Sequence, residues 1–340
     1  MSKELTVLIP FKNEGEELGR TCKSIRDTAG DKVDIIVVND ASDAGFDYEE
    51  MVKPYDVKYY ENKERLGSSL GKQRCVDLCE TPYFLILDSH CRLYTEDWLD
   101  KALEVLKKDE DCVYCCKVQY FNDETDHKSN KHMVAYGGFW DYNIKSLFSC
   151  GWNLNKFSDE PFEIPCLLGA NYLCSKRWWN QLEGYRGLRL YGREETYISW
   201  KSRVAGGKVK CVPSIHTGHK ERPHNHQPYL CQVYEVIHNE MVILYTLRPE
   251  MYDKVMECWK YVYDPSVMRD ATNLFNTHKE ELDSLRGYYQ AIRKVSNEDI
   301  DAFNAEFQKR IGFNYNQLKK DIKGTFTPYG GKERKNFNIG

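Results

Sequence analysis

The first half of the chain alternates short, unbroken apolar runs with amphipathic segments. Thr6-Val7-Leu8-Ile9-Pro10, Asp34-Ile35-Ile36-Val37-Val38, Val57 to Tyr60 and Tyr83-Phe84-Leu85-Ile86-Leu87 read as strands. Glu14 to Ile25, with Leu18, Cys22 and Ile25 on one face, and Leu70 to Leu78 read as the helices between them. Strands apolar at every position are covered on both faces, and their alternation with helices implies an α/β fold with a mostly parallel central sheet. Thr95 reads as the N-cap of a helix whose stripe is Trp98, Leu99, Ala102, Leu103 and Leu106, and Cys112 to Val118 as a further strand. Asn122 to Lys131 is charged and reads as a surface loop, and the aromatic-rich stretch from Met133 to Phe162 as a hairpin packed on the sheet.

Beyond that point the pattern thins and then turns helical. Thr196 to Val204 reads as a helix preceded by the loop Gly192-Arg193-Glu194-Glu195. Val209 to Val212 reads as a strand followed by the loop His216-Thr217-Gly218-His219. After about Tyr229 helices dominate. Leu282, Leu285, Tyr289 and Ile292 form one stripe, and Ser296 caps another through Ile300, Phe303, Phe307 and Ile311 that Gly312 stops. The expected organisation is a sheet domain over residues 1–235, in two halves (1–119 and 120–235), with a helical extension over 236–340.

Charge changes the picture little. The net charge of −4 argues against a generally basic nucleic-acid binder, and no run of about 18 apolar residues suggests a membrane span. The 13 cysteines are odd in number and several fall inside apparent strands or helices, which favours reduced thiols in a cytoplasmic protein. Cys112 and Cys115 make one C-x-x-C, but no second pair exists to complete a zinc site.

The candidate chemistry sits where the strands end. In doubly covered parallel sheets ligands bind beyond the carboxyl ends of the strands. Those ends carry Lys12-Asn13-Glu14, Asn39-Asp40 and Asp88-Ser89-His90. A carboxylate and an imidazole two residues apart offer oxygen and nitrogen to one divalent metal such as manganese; alternatively they are a strand-end Asp and a turn His. Asp40 either caps the next turn or accepts hydrogen bonds from a uracil imide or a ribose hydroxyl. The stretch from Arg65 to Arg74 sets small residues and cations before a helix, where backbone N–H groups and Lys72 can hold a diphosphate, but it lacks the G-K-[ST] ending of a Walker A loop. Glu194 and Glu195 either cap their helix or serve as sugar contact, base or nucleophile. The density of His and cations from His216 to His226 favours an anionic or metal-bound ligand.

Taken together, these motifs resemble the polypeptide N-acetylgalactosaminyltransferases, which are retaining enzymes of the GT-A fold related to the family-2 glycosyltransferases. Leu87-Asp88-Ser89-His90-Cys91 matches their L-D-S-H-C signature, and Val38-Asn39-Asp40-Ala41-Ser42 resembles V-D-D-x-S. Tyr191-Gly192-Arg193-Glu194-Glu195 resembles W-G-G-E-N, and Ile215 to His219 resembles the segment ending in V-G-H. The resemblance runs in order from about Leu5 to Tyr234. It implies a UDP-sugar donor and Mn2+ (or Mg2+) held by Asp88, His90 and His219. It further assigns Pro10, Asn13 and Glu14 of the opening strand, Asp40 on the uridine, Lys72 and Arg74, and the diphosphate contacts Arg222, His226 and Tyr229. Glu194 is the implied contact to the transferred sugar.

Three departures bear on these expectations. The final Asn of W-G-G-E-N is Glu195, so an inverting enzyme with Glu195 as base stands beside a retaining one. The second Gly is Arg193. No lectin domain and no signal anchor are seen, so the expectation is a cytoplasmic enzyme of bacterial or viral rather than Golgi type. The acceptor is left open among a protein hydroxyl, a glycan and a hydroxylated DNA base. Two other classes compete: a nucleotidyltransferase, which would carry a Gly-rich basic loop where Pro10 to Glu14 stands, and an inactive sugar-nucleotide-binding protein, which has no reason to keep all three metal ligands.

Overall fold

The computed structural model describes residues 3–123, 132–143, 146–222, 229–313, 323–326 and 335–338. In chain order the first half runs β1 (Leu5–Phe11), α1 (Glu17–Ala29), β2 (Asp34–Asn39), α2 (Tyr48–Val52), β3 (Lys58–Glu61), α3 (Gly67–Leu78), β4 (Tyr83–Leu87), β5 (Cys91–Leu93), α4 (Trp98–Lys108) and β6 (Cys112–Phe121). The middle holds β7 (Val134–Ala135), the hairpin β8 (Gly138–Asn143) and β9 (Ser146–Trp152), then β10 (Phe162–Glu163), β11 (Asn171–Ser175), α5 (Lys176–Gln181), α6 (Glu194–Val204) and β12 (Lys208–Lys220). Five helices follow: α7 (Val233–Leu247), α8 (Pro249–Val262), α9 (Pro265–Asn276), α10 (Lys279–Ile292) and α11 (Asn297–Arg310). The segment taken as helical from the sequence also contains two short paired strands, β13 (Lys323–Phe326) and β14 (Lys335–Asn338).

The central sheet has the order β10-β12-β6-β11-β4-β1-β2-β3. Strands β3, β2, β1 and β4 are parallel, and β6 runs parallel to β12. Between these two parallel blocks β11 is inserted antiparallel to both β4 and β6. Alternation within β1 shows why its sequence is apolar throughout. Leu5, Val7, Ile9 and Phe11 enter one core with Leu18, Cys22 and Ile25 of α1 and Trp98 and Ala102 of α4. Leu8 points to the opposite core, with Cys75 and Val76 of α3. That second core is continuous with Met241 and Leu244 of α7, Leu282 and Leu285 of α10 and Phe307 of α11. The boundary expected at residue 235 therefore falls inside α7, and the C-terminal helices close over one face of the sheet.

Two sequence expectations are corrected by the local hydrogen bonding. Thr95 does not cap α4; its hydroxyl accepts the His216 N–H at 2.8 Å and so ties the β5–α4 connection to β12. His216 to His219 is strand, not loop. β12 keeps to β6 from Lys208 to Lys220, with a register shift between Val212 and His216 that absorbs Pro213. The Ser296 cap and the Gly312 stop of α11 are present as expected.

The start of α3 is packed tightly against the loop before α6. Gly67 has φ +81°, and a Cβ there would stand 2.4 Å from the Leu190 backbone. Gly67→Ala combines left-handed strain with overpacking, so an unfolding free energy lower by about 2–4 kcal/mol is expected. Urea denaturation checks it; a change under about 0.5 kcal/mol, the level of an ordinary surface substitution, would contradict this account.

Candidate active site

A cavity of about 1020 Å³ opens beyond the carboxyl ends of β1, β2 and β4, bounded across from them by β12, α6 and the start of α7. Its floor carries Asp88, one residue past β4, and His90, just before β5. β5 pairs antiparallel with β12, opposing Cys91 to His219, and this pairing carries a residue 129 positions away to the same spot. The Nε2 atoms of His90 and His219 are 3.1 Å apart, and His219 Nε2 is 3.6 Å from Asp88 Oδ2. One ligand atom from each of the three residues lies within 4.8 Å of the others, the only such group of His, Cys, Asp and Glu among the described residues.

Electrostatics fit this trio to a cation. Withdrawal from water pushes the Asp88 carboxyl up, but the His219 hydrogen bond and the charges of Lys72 and His90 outweigh it and hold the carboxyl well below the usual range. Burial, then repulsion from His90, lowers His219, which therefore presents a neutral imidazole. Glu14 stands behind His90, its Oε2 3.4 Å from Nδ1. Arg222 Nη2 lies 2.8 Å from the same Nδ1, so a carboxylate and a guanidinium both face the far side of the His90 ring. Glu14 also pairs with Arg222, and although burial raises its carboxyl, His90 and Arg222 bring it down overall.

The remaining predicted residues divide. Pro10, Lys72, Glu194, Glu195, Arg222 and Tyr229 line the cavity. Asp40 lines it too, but its oxygens are occupied from within: Oδ1 accepts from Asn62 Nδ2 and the Leu66 N–H, both at 2.7 Å, and Oδ2 from the Gly67 N–H at 2.8 Å. Asp40 thus binds the backbone at the start of α3 rather than capping the turn that follows β2. Asn13 turns away from the cavity, donating to Asp43 Oδ1 at 2.7 Å and accepting the Asp43 N–H at 2.9 Å. Arg74 reaches only the Asn62 amide and acts behind Asp40. His226 lies outside the described residues.

The two glutamates are the first turn of α6 rather than a loop. The Glu194 side chain is buried, with Oε1 lacking a hydrogen-bond partner at the cavity wall. Glu195 Oε1 accepts from the Tyr172 hydroxyl at 2.9 Å, and a Cβ on Gly169 would stand 2.5 Å from that same oxygen. Only a glycine leaves Glu195 this room. Burial, then the neighbouring Glu194 charge, raises the Glu195 carboxyl, with Lys72 opposing. Lys72, itself buried, sits 5.2 Å from the centre of the Tyr172 ring; the charges of Glu194, Asp88 and Glu195 raise it against the effect of burial.

Two arginines named in the sequence, Arg193 and Arg65, hold this end of the cavity through partners on α7 that the sequence reading missed. Arg193 has φ +71°, in the region that favours glycine, and its Nε donates to Glu240 of α7 at 2.6 Å. Arg65 reaches Glu235 of α7 at 3.3 Å. At the rim Trp152 stacks on Tyr120, centroids 5.1 Å apart and planes 16° from parallel, with Trp152 42% exposed.

The fold is that of a GT-A glycosyltransferase domain. Residues 6–174 match the family model of glycosyl transferase family 2, and the chain carries that domain across its first half. Human polypeptide N-acetylgalactosaminyltransferase 14 is 28% identical over 221 residues, covering 63% of this chain and 40% of that protein. A probable N-acetylgalactosaminyltransferase 6 of Caenorhabditis elegans is 27% identical over 239 residues, covering 65% and 38%. This chain thus spans about two fifths of the length of these relatives. Among solved structures, GalNAc-T7 with UDP, GalNAc and Mn2+ aligns with a TM-score of 0.68 at 19% identity, over 94% of this chain and 59% of that one. S. aureus TarS 1-349 with UDP-GlcNAc aligns at 0.53 and 14% identity, over 98% and 99%. The relatives named by sequence are animal proteins, which argues against the expected bacterial or viral source. No helix among the described residues is long and apolar enough to cross a membrane.

The Arg193–Glu240 pair explains one departure from W-G-G-E-N and is testable. Arg193→Gly relieves about 1 kcal/mol of left-handed strain but strands a buried carboxylate, at a cost of about 3–5 kcal/mol. A net loss of about 2–4 kcal/mol is expected, and adding Glu240→Gln should recover at least about 1 kcal/mol. Denaturation midpoints of the two variants decide it; a double variant no more stable than Arg193→Gly would remove this explanation.

Proposed function

We propose that this protein is a metal-dependent glycosyltransferase that moves a sugar from a UDP-sugar to a hydroxyl acceptor. The observation that carries the reading is the convergence of Asp88, His90 and His219 on the floor of the same cavity whose wall presents Glu194 and Glu195. Asp88, His90 and His219 would hold the metal, which neutralises charge on a diphosphate leaving group when bound. Arg222, Tyr229 and Lys72 line the same space and suit the diphosphate oxygens. The unpartnered Glu194 oxygen suits a sugar hydroxyl. Pro10 and the start of α3 would form the wall beside the nucleoside, with Asp40 acting through the Leu66 and Gly67 backbone it organises. An acceptor would approach across the Trp152–Tyr120 rim.

Retention at the anomeric carbon follows the resemblance to the N-acetylgalactosaminyltransferases. A second reading has its own observation. Glu195 is a carboxylate with a raised pKa on the cavity wall, which is what an inverting enzyme needs in a base.

Two outcomes are expected. Mn2+ titrated by electron paramagnetic resonance should bind the wild type and bind Asp88→Asn at least about 100-fold more weakly, since a charged ligand outweighs the outer-shell partners whose loss costs 10–100-fold. Hydrolysis of UDP-GalNAc or UDP-GlcNAc should stop on metal removal and return with Mn2+; undiminished turnover in the stripped protein would end the metal reading. In the second experiment the product anomer is read by proton NMR alongside Glu195→Gln. Retention with less than about a tenfold loss is expected, whereas an inverted product with a loss of about 10²-fold or more assigns Glu195 as the base.

A further inference from the structure

Helix α7 interrupts its apolar face with three consecutive buried polar residues, His238, Asn239 and Glu240. Glu240 is accounted for by Arg193. The other two belong to a larger arrangement. Asn239 Nδ2 donates to the carbonyls of Arg189 at 2.9 Å, Tyr191 at 3.2 Å and Gly192 at 2.7 Å, and its Oδ1 accepts the Arg189 N–H at 3.0 Å. One side chain thus binds the backbone of the whole segment that leads into Glu194. His238 Nδ1 lies 2.8 Å from Asn239 Oδ1, and its Nε2 lies 2.9 Å from His278 Nε2. His278 Nδ1 is 3.5 Å from Glu281 Oε2, and that same carboxylate oxygen accepts from Arg189 Nη2 at 2.5 Å. The chain of contacts leaves the loop at the Arg189 backbone and returns to it through the Arg189 side chain, its one link without a hydrogen bond being His278 to Glu281.

Proton placement in this ring is dictated by its ends. Three carbonyls facing Asn239 require its NH2 there, so Oδ1 faces His238 and accepts. Burial lowers His238 to about 3, so its ring is neutral near pH 7 and carries one proton. That proton is on Nδ1, leaving Nε2 to accept from His278. The Glu281 carboxyl is brought down to about 2, with the nearby His278 the largest cause and Arg189 adding to it against burial. The arrangement of Asn239 and His238 is thereby fixed, while His278 Nδ1 faces Glu281 across 3.5 Å without a hydrogen bond.

We propose that Asn239 is a positioning residue for Glu194 and Glu195, and that the ring Asn239–His238–His278–Glu281–Arg189 holds it in that role. None of the five lines the cavity, so they act through the loop and not on a ligand. The proposal rests on the glycosyltransferase reading for its effect on turnover, but not for the geometry of the loop. Misplacing reacting groups by about 1 Å can cost about 10²-fold in rate while leaving distant binding contacts intact.

Asn239→Ala is the decisive variant, with His278→Leu, at the far side of the ring, as the milder one. For Asn239→Ala, Mn2+ and UDP affinity by calorimetry should stay within about threefold, because Asp88, His90 and His219 sit on other elements. The kcat for UDP-GalNAc or UDP-GlcNAc hydrolysis should fall about 10- to 100-fold with KM little changed. Hydrogen exchange should quicken in the peptide spanning residues 189–195 in both variants, and 15N NMR of the wild type should show His238 protonated at Nδ1. Equal losses of UDP affinity and kcat, unchanged exchange at 189–195, or a His238 proton on Nε2 would each overturn the proposal. If Asn239→Ala does not fold, His278→Leu carries the exchange and kinetic tests. If the wild type turns over no UDP-sugar yet exchange and NMR behave as stated, the glycosyltransferase reading fails and the positioning ring stands.

Discussion

A carboxylate at the end of a central strand has to find compensating charge, and the placement of Asp88 governs much of this structure. It lies past β4, at the middle of a sheet whose faces are both covered and on the floor of the cavity, where partial withdrawal from water raises its carboxyl. Compensation comes from three directions. Lys72 approaches from α3, His90 from the following turn, and His219 from β12 through its pairing with β5. The turn bearing Asp88 and His90 is in turn fixed from α1, where the Thr21 hydroxyl lies 2.8 Å from the Ser89 carbonyl and 2.9 Å from that of Cys91. A cluster assembled from four elements in this way is preorganised, and a bound cation adds charge without first having to gather its ligands.

How much of this was legible differs by element, for physical reasons. The four parallel strands were readable because burial on both faces leaves an unbroken apolar signature, and the strand-end chemistry of Asp88 and His90 followed from them. β12 was not readable as a long strand. Its register shift between Val212 and His216 breaks the periodicity, so the residues carrying His219 looked like a loop. The bond from Asp40 to the start of α3 was not among the readings the sequence offered, because it depends on the long-range approach of Asn62, Leu66 and Gly67. Asn13 and Arg74 shared a motif with true lining residues, but sequence adjacency does not specify which way a turn residue points; each found a nearer partner, Asp43 and Asn62.

Helix α7 is the largest omission. Ile237, Met241, Val242, Ile243 and Leu244 make it read as a packing helix, which it is. The signal passed over was the polar run His238-Asn239-Glu240 inside that apolar stretch. A buried polar group without partners costs more than it returns, so three in succession imply that a partner surface exists. That surface is the backbone of residues 189–193, which the sequence had marked as part of a motif but not as a partner of α7. Glu235, one turn earlier, extends the same pattern to Arg65.

The two ends of the cavity are thus held by different means. At the floor, side chains are set by strand pairing, and strand register leaves little freedom to move them. At the wall, Glu194 and Glu195 begin a helix whose preceding residue, Arg193, is in a left-handed conformation that an arginine adopts at a cost. Such a conformation persists only where neighbours over-determine it, and here the neighbours are Glu240 on the side chain and Asn239 on the backbone before it. Charge repulsion makes that restraint necessary. Glu194 and Glu195 are adjacent carboxylates within reach of a single buried lysine, and the Glu194 charge adds to burial in raising the Glu195 carboxyl. The C-terminal helices share a core with the sheet, and among the described residues they reach the cavity wall through α7, whose Asn239 and Glu240 hold the segment that leads into the two glutamates.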